Sequence, residues 1–286
     1  MSQLSRGWPA LAALVLSLFT ASAAAAPGAE TDDPVLRALV LEIGRAMGEA
    51  VTTDPAPYFL AAEVTETESV QISAEEGALQ GYAPKRGRWV DVDVRVGGPQ
   101  LDSTHPLRSG QDRRRGHGRA LVISDDVDVL RRGIWREVDA RLVEAQERWA
   151  KVESDQQVLV EEEPADDLAA TEPIVDIGQA ASLDLDLERW EETVRRASAL
   201  LASSTVVHDG SVKLSAEAVT HRFVSSEGTR LRHGRCYLRL LVHVDTMAED
   251  GEELALSHSW DAADVAGLPA DEEVLARIRE LESLLA

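Results

Sequence analysis

The sequence predicts an α+β fold, with a mainly antiparallel sheet flanked by long helices. Two observations carry this expectation. Apolar runs of period two come in consecutive batches, over 58–103 and 212–260, and do not alternate singly with helical stretches. Apolar stripes of helical period bracket those batches, over 36–47, 127–149, 187–201 and 274–285. The order is helix, strands, long helix, acidic linker, helix, strands, helix, with no repeat of solenoid length.

The first 26 residues read as an export signal. Arg6 supplies a thin positive region, 8–19 is a short apolar core, and 20–26 is a run of small residues before Pro27. Ala21-Ser22-Ala23 and Ala23-Ala24-Ala25 both fit an A-x-A cleavage site. The apolar stretch is short for a membrane span and no second one follows, so an exported protein, periplasmic or secreted, is expected after cleavage. A single domain over 32–286 follows.

Its first helix opens at Asp32-Asp33-Pro34, an acidic cap followed by proline in the first turn. Leu36, Leu39, Ile43 and Met47 form the stripe. Residues 58–63 and 69–74 read as two paired strands, with the polar Thr65-Glu66-Thr67-Glu68 as their turn. Over 89–96, Val90, Val92, Val94 and Val96 alternate with Trp89, Asp91, Asp93 and Arg95, a strand with one buried face. Gly97-Gly98-Pro99 ends it, and 100–103 pairs back briefly. Residues 108–119, with five arginines, read as a solvated loop.

Ser124-Asp125-Asp126 starts a long helix, capped by Ser124, that runs to about residue 152. Val127, Leu130, Ile134, Val138, Leu142, Ala145 and Trp149 make its stripe; Glu137/Arg141 and Glu144/Arg148 are expected on its wet face. An irregular acidic segment near 157–180 follows, whose Glu161-Glu162-Glu163 run lacks the alternating oxygens and glycine turn of a calcium loop. Asp184-Leu185-Asp186 begins a helix with Leu187, Trp190, Val194, Ala197 and Leu201 inward. Strands then follow: Val212, Leu214, Ala216 and Ala218; Cys236, Leu238, Leu240, Val242 and Val244; Leu254 and Leu256. The last helix opens at Pro269 and buries Val274, Ile278, Leu281 and Leu285.

With 51 acidic and 29 basic side chains, the net charge is −22, which argues against a nucleic-acid partner. Cys236 is the only cysteine, so no internal disulfide forms, and its place in an alternating run predicts a small buried side chain. The seven histidines include no pair with the spacing of a zinc-binding helix, and no His is followed by Glu. Serine-hydrolase and phosphate-loop glycine patterns are absent. Few aromatics are available for a sugar platform, and Trp135, Trp149 and Trp190 fall at helical core positions. From the residues, therefore, no catalytic, cofactor-binding or metal-ligating position is assigned in this chain.

The stretch Phe223-Val224-Ser225-Ser226-Glu227-Gly228-Thr229, with the strands around it, resembles the hairpin that closes the N-terminal domain of the TldD/PmbA metallopeptidase family. Residues 58–77, ending Ser73-Ala74-Glu75-Glu76-Gly77, are similar to that domain's early hairpin, and the 124–152 helix occupies the place of its long helix. The resemblance implies a subunit that dimerises, as homo- or heterodimer, and helps enclose a cavity where unfolded peptide is held extended. It also implies that zinc sits in a separate C-terminal domain, on a His-Glu-x-x-x-His helix that is not among these 286 residues. The expectation is a non-catalytic scaffold whose partner is that metal-bearing domain or a paralogous subunit, on an exported branch of the family. Two alternatives stay open: a self-sufficient hydrolase with a site assembled from histidines and carboxylates, or a structural protein of the cell envelope.

Overall fold

The computed structural model describes residues 32–50, 52–107, 118–156, 166–248 and 250–286. The expected signal over 1–26, most of the arginine loop and Glu161-Glu162-Glu163 lie outside the described residues. The elements run α1 (Pro34–Ala50), β1 (Pro57–Glu75), β2 (Ala78–Tyr82), β3 (Lys85–Gly98), β4 (Leu101–Asp102), β5 (Arg119–Ala120), α2 (Val127–Gln156), β6 (Val175–Ile177), α3 (Leu187–Ala202), β7 (Asp209–Ser225), β8 (Arg230–Met247), β9 (Glu253–Ala262), a 3-10 turn (Val265–Gly267) and α4 (Asp271–Leu285). The fold is α+β. No helix among the described residues is long and apolar enough to cross a membrane.

Among the described residues nine strands form one sheet, in the order β4-β3-β1-β7-β8-β6; β2 sits beside β1, β5 beside β3 and β9 beside β8. Every pairing is antiparallel except β6 with β8. Side chains alternate across a strand, and from Leu60 onward the even-numbered residues of β1 face the helices. Leu60, Ala62 and Val64 join α1 and α2 in one core. Val70, Ile72 and Ala74 join α3 and α4 in a second core. Two hydrophobic cores thus lie side by side on one face of one sheet.

The expected turn at Thr65-Glu66-Thr67-Glu68 is not there. β1 runs through it unbroken, paired to β3 as far as Ser69 and to β7 as far as Glu75. Ladders on both edges satisfy the backbone, and arginines from neighbouring strands neutralise Glu66. The true turn is Glu76-Gly77, where both residues have positive φ, 48° and 77°, as a two-residue hairpin linking β1 to β2 requires. The hairpin at Ser226-Glu227-Gly228-Thr229 forms as expected, with Gly228 at φ 104°. Ser226 clamps it to β1: its N–H donates to Leu60 O at 2.7 Å, and its Oγ accepts from Leu60 N–H at 3.1 Å.

Part of the segment read as irregular is ordered by a distant partner. Val175, Asp176 and Ile177 pair in parallel with Arg230, Leu231 and Arg232. The chain then crosses the helix-side face of β8, where Ala181 N–H donates to Thr220 Oγ1 at 2.9 Å. Gly234 makes room for it, since a Cβ there would stand 2.3 Å from Ala181 N. The helices match their predicted stripes, with two corrections. Asp126, not Ser124, caps α2, accepting from Asp128 and Val129 N–H groups. Trp135 is 46% exposed, because it sits one residue past the buried Ile134 and so off the stripe.

Candidate functional site

Between the two cores the helix-side face is polar. Asp33 Oδ1 caps α1, accepting from Val35 and Leu36 N–H at 3.0 Å each. Its Oδ2 accepts from Arg222 Nε at 2.7 Å and Arg232 Nη1 at 3.0 Å. Arg222 reaches on to Glu66 at 3.2 Å, and Glu66 also takes Arg88 at 2.9 Å and Arg86 at 2.7 Å. Arg88 in turn donates to Ser124 O at 2.7 Å, next to the start of α2. Burial raises the Asp33 carboxyl, but Arg222 and the α1 amides outweigh it and hold the group below its ordinary value. At Glu66, burial is likewise overcome by Arg86 and Arg88. The chain of charges ties α1, the sheet and the α2 entry together. Its carboxylates and guanidiniums are paired with one another, and together they brace these elements.

A second polar cluster lies where β3 turns into β4. The buried Asp102 accepts from Tyr58 Oη at 2.7 Å and from Thr104 N–H and Oγ1 at 2.6 Å each, and Arg95 lies 3.3 Å away. Burial and the Asp102 carboxylate push the Tyr58 phenol upward. His105 Nδ1 pairs with Asp167 Oδ1 at 2.9 Å, anchoring the chain just before β6.

The opposite face of the sheet carries no helix among the described residues. It presents the odd-numbered residues of β1, β3, β7 and β8. Trp89, 41% exposed, packs against Gly87, where a Cβ would meet the indole at 2.2 Å. Across from it run Thr65, His221 and His233, with Glu63, Phe223 and Leu231 in the next row. Tyr237 and Arg239 continue the surface, both bonded to Asp261 of β9. Among the described residues this face combines exposed aromatic, imidazole and polar side chains.

The histidines are not all scattered. His221 Nδ1 stands 2.5 Å from Glu63 Oε1, and its ring stacks on His233 with centroids 4.9 Å apart and planes at 17°. Sequence spacing along one helix could not find this pair. The hairpin could: both residues lie six positions from Glu227, so folding the chain there makes them partners. His243 is 3.7 Å from Asp245, and His258 packs edge-on against Trp260. Burial, followed by Arg277, lowers the His258 pKa. His117 lies outside the described residues. No group of three or more His, Cys, Asp or Glu side chains able to hold a metal ion occurs among the described residues.

Cys236 is a free, half-buried thiol with Sγ 3.6 Å from Ser182 O. It lies on the helix side of β8, whereas His233 and His243 lie on the other side, so neither reaches it. The wet-face ion pairs expected on α2 also change character. Glu137 is buried and held by both Arg119 and Arg141. On the helix side, Val70, Leu183, Leu185 and Leu187 line a groove of about 260 Å³ with Glu68, Lys85 and Arg86 at its rim.

No family model matches the chain, and no curated protein matches it. Solved structures do. A protein from Thermotoga maritima described as a candidate modulator of a DNA gyrase superposes with TM-score 0.50 over 84% of this chain and 47% of its own, at 11% identity. The two share a fold. TldE from Thermococcus kodakarensis is similar over 86% of this chain and 47% of its own, at 11% identity and TM-score 0.44. A further candidate gyrase modulator, from Bacteroides thetaiotaomicron, covers 84% and 49%, at 11% identity and TM-score 0.46. The chain thus spans about half the length of the structures it matches.

Proposed function

We propose that this chain is a non-catalytic, peptide-enclosing and dimerisation domain of a TldD/PmbA-type metallopeptidase, on an exported branch of that family. The metal that performs hydrolysis belongs, in this reading, to a separate domain or paralogous subunit, and this chain needs no zinc of its own for proteolysis. The observation that carries the proposal is the shared fold spanning 84% of this chain and 47% of its neighbour. The helix-free sheet face gives the proposal a surface. Its exposed Trp89 and Tyr237, and the half-buried Phe223, offer apolar contact to a second domain or to an extended peptide. The net charge of −22 favours a partner other than nucleic acid.

The test is peptide hydrolysis by the purified protein, alone and mixed with a metal-bearing TldD-type subunit from the same cells. The expected result is no turnover alone, and turnover or a stable complex with the subunit. Turnover by this chain alone, with stoichiometric metal, overturns the proposal. No complex and no effect on the subunit's turnover favours the structural envelope reading instead.

A further inference from the structure

His221 and His233 are direct cross-strand partners on the helix-free face, with nearly parallel rings. His233 is exposed and His221 half-buried. Glu63 Oε1 lies 2.5 Å from His221 Nδ1, and Thr65 Oγ1 lies 3.3 Å from the same nitrogen. A carboxylate can only accept, so Nδ1 carries the proton and donates. In the neutral ring the lone pair is then on Nε2, away from Glu63. A carboxylate holding one imidazole nitrogen so that the other is presented as a ligand is the standard second layer of a metal site.

We propose that His221 and His233 form a two-imidazole site for a borderline divalent transition metal: copper, nickel or zinc. Imidazole donors select these ions, whereas magnesium and calcium require oxygen ligands. Glu63 orients His221, and the exposed His233 closes on the ion by turning about its own side-chain bonds. Two protein ligands leave the remaining coordination positions to water, so the site binds metal openly and does not enclose it. The site is independent of the scaffold reading, since it requires neither peptide nor partner and predicts no hydrolysis.

The experiment uses untagged protein stripped with a chelator and titrated with Cu²⁺, Ni²⁺, Zn²⁺ and Mg²⁺ by calorimetry. Electron paramagnetic resonance of the copper form counts the nitrogen ligands. The expected result is one equivalent of the transition metals, no magnesium, and two imidazole nitrogens on copper. His233→Ala, at an exposed position, removes the binding and leaves the circular dichroism spectrum unchanged. Glu63→Ala weakens it by about 10- to 100-fold, the usual effect of losing such a partner, and His258→Ala leaves it intact. Absence of transition-metal binding by the stripped protein overturns the proposal. So does affinity that survives both His221→Ala and His233→Ala.

Discussion

Glu66 shows what a single side chain does in this fold. It stands on the helix side of the longest strand, in the gap between two apolar cores, and takes three arginines. Removing one partner from a buried ion pair strands the other, which costs about 3–5 kcal/mol. Glu66→Ala is therefore expected to destabilise by that order, read from urea unfolding, whereas the exposed Glu68→Ala changes little. The same residue sets a pH dependence. Asp33 and Glu66 have ordinary values of 3.8 and 4.5, and both are lowered in the folded protein. Groups depressed by folding stabilise fully above their unfolded values and lose that stabilisation as pH falls through the folded ones. Stability should decline on acidification below about pH 4.5, and Glu66→Gln should flatten part of that slope in a series of melts. None of this was legible locally. A charge inside Thr65-Glu66-Thr67-Glu68 reads as a turn until Arg88 and Arg222, 22 and 156 residues away, are known to face it.

At the scale of elements, the legible parts were those whose pattern is self-contained. The stripes of α1, α3 and α4 and the alternation of β3, β7 and β8 follow from period alone, because each buries one face against a neighbouring layer. β6 could not be read, since three residues carry no period and their order comes from β8. The crossing that follows β6 depends on a bare backbone at Gly234. Gly234→Ala places a methyl 2.3 Å from Ala181 N and should push the crossing off the sheet. Overpacking of this kind costs about 1–3 kcal/mol. Faster hydrogen exchange at Gly178 and Ala181 in the variant checks it, their amides being bonded to Arg232 O and Thr220 Oγ1. The candidate metal site had the opposite fate. Its two histidines stand on different strands with no periodic spacing between them, and only the register of the β7–β8 hairpin brings them together.

For the whole molecule, the decisive arrangement is two cores on one side of a shared sheet, with no helix on the other side among the described residues. β1 passes through both cores, so damage to one should be felt in the other. Ile72→Ala lies in the core beneath α3 and should cost about 2–5 kcal/mol. Scanning calorimetry is expected to record one cooperative transition at lower temperature; two separated transitions would mean that the cores fold independently. The functional account rests on that second side, whose exposed Trp89 and Tyr237 offer contact to a partner or a peptide. The most direct measurement is peptide hydrolysis by the purified protein, with and without a metal-bearing TldD-type subunit, repeated with the surface variants Trp89→Glu and Phe223→Glu. The account predicts no cleavage by this chain alone, and a complex with the subunit that both substitutions weaken. Cleavage by the isolated chain, or a complex indifferent to both substitutions, would contradict it.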